Sequence, residues 1–125
     1  MQDQIRHYEN KLQYEIDSWD LNDARQRKKN FIVIDARSKQ VFDAEHILDA
    51  ISIPHVEMNE TTTKDLDRTA TYVTYCDGIG CNGSTKGALN MAKLGFTVKE
   101  LIGGIEWWKR DGYPTVGNEK RTILM

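Results

Sequence analysis

The stretch Thr71-Tyr-Val-Thr-Tyr-Cys-Asp-Gly-Ile-Gly-Cys-Asn-Gly-Ser84 decides the fold. Thr71 to Tyr75 is the strongest β-propensity run in the chain, and Cys76 ends it. Asp77-Gly-Ile-Gly-Cys-Asn-Gly83 cannot continue a strand. Its glycines and its Asn permit positive φ and a close approach of a ligand to backbone. From Ser84 a helix is predicted, with Ala88, Met91 and Ala92 on one face and Gly95 as its stop.

The flanks repeat this alternation. Upstream, Phe31-Ile-Val-Ile34 is a β-branched apolar run that ends at Asp35, as expected of a central strand buried on both faces. Ile51-Ser-Ile53 is a short strand stopped by Pro54. Between the two, Ser38 is positioned to cap a helix through His46. Thr61-Thr-Thr63 suits a turn or cap. Before them, Ile5, Tyr8 and Leu12 share one face of a predicted helix over 3–13, and Tyr14 to Ile16 reads as an edge strand. Asp17 and Ser18 open a second helix that runs to Lys28-Lys29. Downstream, Val98 to Ile102 is predicted as the final strand. Gly103-Gly104 then turns into a short helix carrying Trp107 and Trp108, closed by Asp111-Gly-Tyr-Pro114. Strands alternating with helices predict an α/β fold, with a mainly parallel central sheet and helices on both faces. Residues 1–125 are expected to form one domain, with a core over about 12–116 and a tail over 117–125.

Composition narrows the function. With 17 Lys+Arg against 19 Asp+Glu the net charge is −2, so nothing electrostatic points to nucleic acid. The basic run Arg25-Gln-Arg27-Lys28-Lys29 reads as the last turn of a helix, where cations complement the dipole. No apolar run approaches the ~20 residues of a membrane span, and the polar N-terminus lacks a secretory h-region. Two Cys cannot make a disulfide framework, so a reducing, cytoplasmic setting is expected. His7, His46 and His55 show no metal-ligand spacing with Cys76 and Cys81, so no metal is expected.

Sites in parallel α/β sheets lie at the carboxyl ends of strands. Two such ends carry chemistry: Asp35-Ala-Arg37 and Cys76 with its loop. The first N–H groups of the following helix have no partner of their own, and with the loop amides they form an anion cup that also favours a thiolate. The chemistry this allows is nucleophilic attack by sulfur on an oxyanion-bearing donor. The bland alternative is that Cys76 is a small core residue at a strand end.

Four motifs in order resemble the rhodanese family. Ile32-Val-Ile-Asp35-Ala-Arg37 is similar to its apolar strand ending in Asp-x-Arg. Glu45-His46-Ile47 followed by Ala50-Ile-Ser-Ile-Pro54 resembles its His-Ile-x-x-Ala-x-x-x-Pro signature. Tyr72-Val-Thr-Tyr-Cys76 matches the strand that delivers the nucleophile. Gly103-Gly104, a Trp at 107 or 108, and Gly112-Tyr-Pro114 resemble the C-terminal signature. The resemblance implies a three-layer rhodanese-like fold and a sulfurtransferase. In it Cys76 would take a sulfane sulfur from a donor such as thiosulfate, hold it as a persulfide, and pass it to a thiol or to cyanide. It implies no cofactor. The donor would sit in the loop Asp77, Gly78, Ile79, Gly80, Cys81, Asn82, Gly83, Ser84, with Lys86 on the first helical turns. Asp35, Arg37 and His46 would be structural supports.

The loop departs from the common Cys-x-x-x-x-Arg pattern. It is about two residues longer, Gly83 stands at the Arg position, and no Arg lies between 69 and 109. Asp77 beside Cys76 is expected to raise the thiol pKa and repel a dianion. Lys86 is the one nearby cation in sequence, read either as folding back to the loop or as solvated. Cys81 is read either as a resolving thiol or as a space filler. Two other functions stay open: a non-catalytic or protein-fed sulfur-relay module, and a Cys-dependent phosphatase or arsenate reductase, which the missing Arg disfavours.

Overall fold

The computed structural model describes residues 1–118; the predicted tail lies outside them from residue 119 on. Five parallel strands form the central sheet in the order β1-β6-β5-β2-β4: β1 (Glu15–Ile16), β2 (Phe31–Asp35), β4 (Ile51–Ser52), β5 (Thr71–Tyr75) and β6 (Thr97–Leu101). The predicted parallel α/β sheet is what forms. Its central strands alternate between two cores, because successive side chains point to opposite faces. Val33, Val73 and Tyr75 pack on one face with Leu21 of α2 (Ser18–Gln26) and with Ile105 and Trp108 of α5 (Gly104–Arg110). Ile34 and Tyr72 pack on the other with Met91 of α4 (Gly83–Lys93), Met58 and Phe96. Helices thus cover both faces.

Several boundaries differ from the sequence expectation. The helix capped by Ser38, whose hydroxyl accepts from Val41 N, is α3 (Lys39–Ala44) and ends before His46. His46 instead begins β3 (His46–Ile47), which pairs antiparallel with β7 (Thr115–Val116). Val98–Ile102 is therefore not the last strand. The α2 helix ends at Gln26, not at Lys28-Lys29, and Lys28 takes the left-handed conformation at φ 58°. The first helix, α1 (Gln2–Tyr14), has no buried residue. Its apolar face is exposed, and Lys99 Nζ ties its C-terminal turn down by donating to Leu12 O and Gln13 O at 3.3 and 2.6 Å.

Candidate active site

Parallel register brings two strand ends together. Asp35 of β2 lies beside Tyr75 of β5, so the residues two places on, Arg37 and Asp77, emerge as neighbours. Asp35 is fully buried. It accepts from Arg37 N at 2.9 Å, from Arg37 Nε at 3.0 Å and from Arg37 Nη2 at 2.7 Å. Tyr75 Oη donates to the same carboxylate at 2.7 Å and accepts from Ile47 N at 3.0 Å. Arg37 also donates to Glu45 O at 2.6 Å and to Asp77 Oδ1 at 3.0 Å. Burial works against the Arg37 charge. The hydrogen bonds and charge of Asp35, with Asp77 adding, outweigh it and hold the guanidinium above its ordinary pKa.

Lys86 is the nearby cation in sequence, but in space Asp77 pairs with Arg37. Arg37 comes from a strand end 40 residues earlier, so its proximity was invisible in the local sequence. Asp77 remains 70% exposed on its side chain, whereas Arg37 is 8% exposed. Lys86 does not line the Cys76 cavity; it lines an adjoining depression with Met58, Leu89 and Asn90 that shares His55 and Val56 with it. His46 stacks on Phe42 with centroids 3.7 Å apart, and its Nδ1 lies 2.7 Å from Phe42 O, both contacts of the scaffold.

Cys76 is 5% exposed and sits at the floor of a cavity of about 430 Å³. The walls include Arg37, Lys39, Pro54, Val56, Cys81 and Gly83. Sequence reasoning missed Lys39, Pro54 and Val56. The signal was Pro54, which stops β4 at the same carboxyl edge of the sheet. Asp77 and Asn82 also line this cavity. Gly78, Ile79 and Ser84 line a second hollow of about 170 Å³, and Cys81 stands on the wall of both. A Cβ at Gly80 would meet open space.

The loop glycines Gly78, Gly80 and Gly83 are not among the positive-φ residues. Gly83 serves through space instead: a Cβ there would sit 3.0 Å from Cys76 Sγ and 3.4 Å from Cys81 Sγ. A side chain at this position would be tightly packed against the two sulfurs. Cys76 and Cys81 are joined as a disulfide, with Cα atoms 6.1 Å apart. Behind the loop, α5 takes the Cys76 and Asp77 carbonyls: Ile105 N donates to Cys76 O at 3.0 Å and Glu106 N to Asp77 O at 2.9 Å. Those carbonyls are thereby held on the α5 side of the loop. The site thus brings together two cysteine sulfurs, the N-terminal turn of an eleven-residue helix, and the side chains of Arg37 and Lys39.

Comparison with known proteins agrees with this geometry. The family model of the rhodanese-like domain matches residues 18–111. A crystal structure of the BH2092 protein of Bacillus halodurans superposes with a TM-score of 0.90 at 44% identity, covering 94% of this chain and 87% of that one. A Coxiella burnetii protein named thiosulfate sulfurtransferase GlpE is 30% identical over 96 residues, which are 75% of this chain and 82% of that protein. An uncharacterized protein of Synechocystis is 32% identical over 92 residues, and the chain spans half of its length. A match over most of the chain, spanning the central strand that ends at Cys76 and the neighbouring strand that ends at Asp35, places the chain in the rhodanese-like family.

Proposed function

We propose that the protein is a sulfurtransferase in which Cys76 carries sulfane sulfur. The observation that carries this reading is the position of Cys76. It ends the central strand of a parallel sheet, lines an open cavity, and precedes the N-terminus of α4. The chemistry starts from the reduced site. The Cys76 thiolate attacks the outer sulfur of thiosulfate, and the S–S bond of the donor breaks. Sulfite leaves with the electron pair, and Cys76 becomes a persulfide. The amides of the loop and of the first turn of α4 are suited to hold the departing oxyanion. Cyanide or a thiol then attacks the outer sulfur, and the Cys76 thiolate is regenerated. Arg37 keeps Asp77 paired, which lowers the repulsion a dianion meets at the mouth of the cavity.

One observation favours a protein donor over free thiosulfate. Asp77 stays largely exposed beside the cavity, and the loop itself holds no Lys or Arg from 77 to 85. A donor that presents its persulfide on a neutral Cys side chain avoids that repulsion. Both readings predict thiocyanate when reduced protein, a sulfur donor and cyanide are mixed. Production from thiosulfate that disappears in Cys76→Ser supports the small-donor reading. Production from a protein persulfide alone supports the relay. Equal production by Cys76→Ser would remove Cys76 from the reaction.

A further inference from the structure

We propose that Cys81 resolves the Cys76 persulfide by expelling hydrosulfide, so that the protein is a dithiol-dependent, sulfide-releasing enzyme as well as a carrier. The inference rests on the sulfur-transfer reading above. Three observations support it. First, the loop folds Cys81 back so that its sulfur reaches Cys76 Sγ itself. A thiolate there attacks the inner sulfur of a persulfide, rather than the outer one that cyanide takes. Second, Gly83 makes the arrangement possible. It has no side chain where both sulfurs lie, and its backbone N–H donates to Cys81 Sγ at 3.5 Å, a contact that fixes this sulfur beside Cys76. Third, the two sulfurs differ in access. Cys76 is 5% exposed, whereas Cys81 is half-buried and also lines the second hollow, flanked by exposed Ile79 and Ile102.

The steps balance. The Cys81 thiolate attacks Cys76 Sγ, the bond from Cys76 Sγ to the sulfane sulfur breaks, and hydrosulfide leaves with the electron pair. The sulfane sulfur is reduced, and the two cysteines are oxidised to the disulfide seen here. An external dithiol closes the cycle. Its first thiolate attacks the accessible Cys81 Sγ, and Cys76 leaves as a thiolate toward the helix N-terminus that favours it. Its second thiol then displaces Cys81, and the dithiol departs as a cyclic disulfide.

The test uses full-length protein, reduced and desalted under nitrogen, mixed with equimolar thiosulfate and no reductant. The expected result is sulfite and hydrosulfide in about equal amounts, near about one each per chain, with both cysteines protected from alkylation as a disulfide. Cys81→Ser is expected to release sulfite without hydrosulfide and to keep one additional sulfur on Cys76. Glutathione persulfide, which carries no sulfonate, is the second donor. With it the wild type should end as the disulfide and Cys81→Ser as the Cys76 persulfide. Sulfite without hydrosulfide from wild type, with the added sulfur kept on Cys76 or moved to Cys81, would overturn the inference and leave sulfur transfer standing. Failure of both donors to load either protein would overturn the two together.

Discussion

The carboxylate of Asp35 has no contact with solvent, and its partners are fixed by short bonds from Arg37 and from Tyr75 Oη. A buried acceptor of this kind is costly to leave short of a donor. Tyr75→Phe removes one donor and also the acceptor of Ile47 N. The expected loss is roughly 1.5–3 kcal/mol at neutral pH, read from denaturant midpoints. Burial, then the charge of Asp35 and the hydrogen bond donated to it, push the Tyr75 phenol above its ordinary value of 10.0. The phenol therefore resists ionisation in the folded state only. Its contribution to stability is fully present below about pH 10 and is lost as pH rises beyond that, because the unfolded chain releases the proton first. Wild type should lose stability above about pH 10 more steeply than Tyr75→Phe. Parallel declines would show that Tyr75 does not set this dependence.

At the scale of elements, α5 buttresses the Cys76 loop from behind. Its approach requires a residue without a side chain at Gly104, where φ is +59° and a Cβ would run into Cys76 O and lie 2.9 Å from Gly78 N. Gly104→Ala should cost about 1–3 kcal/mol in backbone strain, with the clash added, and displace the loop. Its rate of thiocyanate formation should fall by about tenfold or more, as expected when a nucleophile shifts by an ångström. Gly112→Ala is the contrast. There φ is +86° but nothing lies within 4 Å, so strain alone is expected and the rate should stay close to wild type. Equal rate losses in the two variants would dissociate α5 from the loop. Legible in sequence were β2 from its apolar run, β5 from its β-propensity, α4 from its apolar face, and also β1, β4, β6, α1, α2 and α5, with boundaries off by a few residues. The β3–β7 pair was not legible, because each strand has two residues and their pairing joins His46 to Val116 across the chain. Cys76 was legible from its strand and loop. The Arg37–Asp77 pair was not, since it follows from the β2–β5 register rather than from any local pattern. Nor was the use of Gly83, where the demand is room for two sulfurs rather than a special φ.

Over the whole molecule, a net charge of −2 offers little long-range attraction for a dianionic donor. At the carboxyl edge of the sheet, where β2, β4 and β5 end together, the cavity is lined by Arg37, paired with Asp35 and Asp77, and by Lys39, paired with Asp43. Among the described residues no helix is long and apolar enough to cross a membrane. The exposed apolar face of α1 and the tie from Lys99 lie on the β1–β6 side of the sheet, away from the β2–β4 side that carries Arg37. One measurement tests sulfur transfer through Cys76 most directly: stopped-flow detection of sulfite after rapid mixing of fully reduced protein with excess thiosulfate, with no acceptor present. The expected result is a burst of about one sulfite per chain in wild type and none in Cys76→Ser. A burst that survives in Cys76→Ser, or its absence from wild type while a protein persulfide donor is equally inert, would contradict a persulfide carried on Cys76.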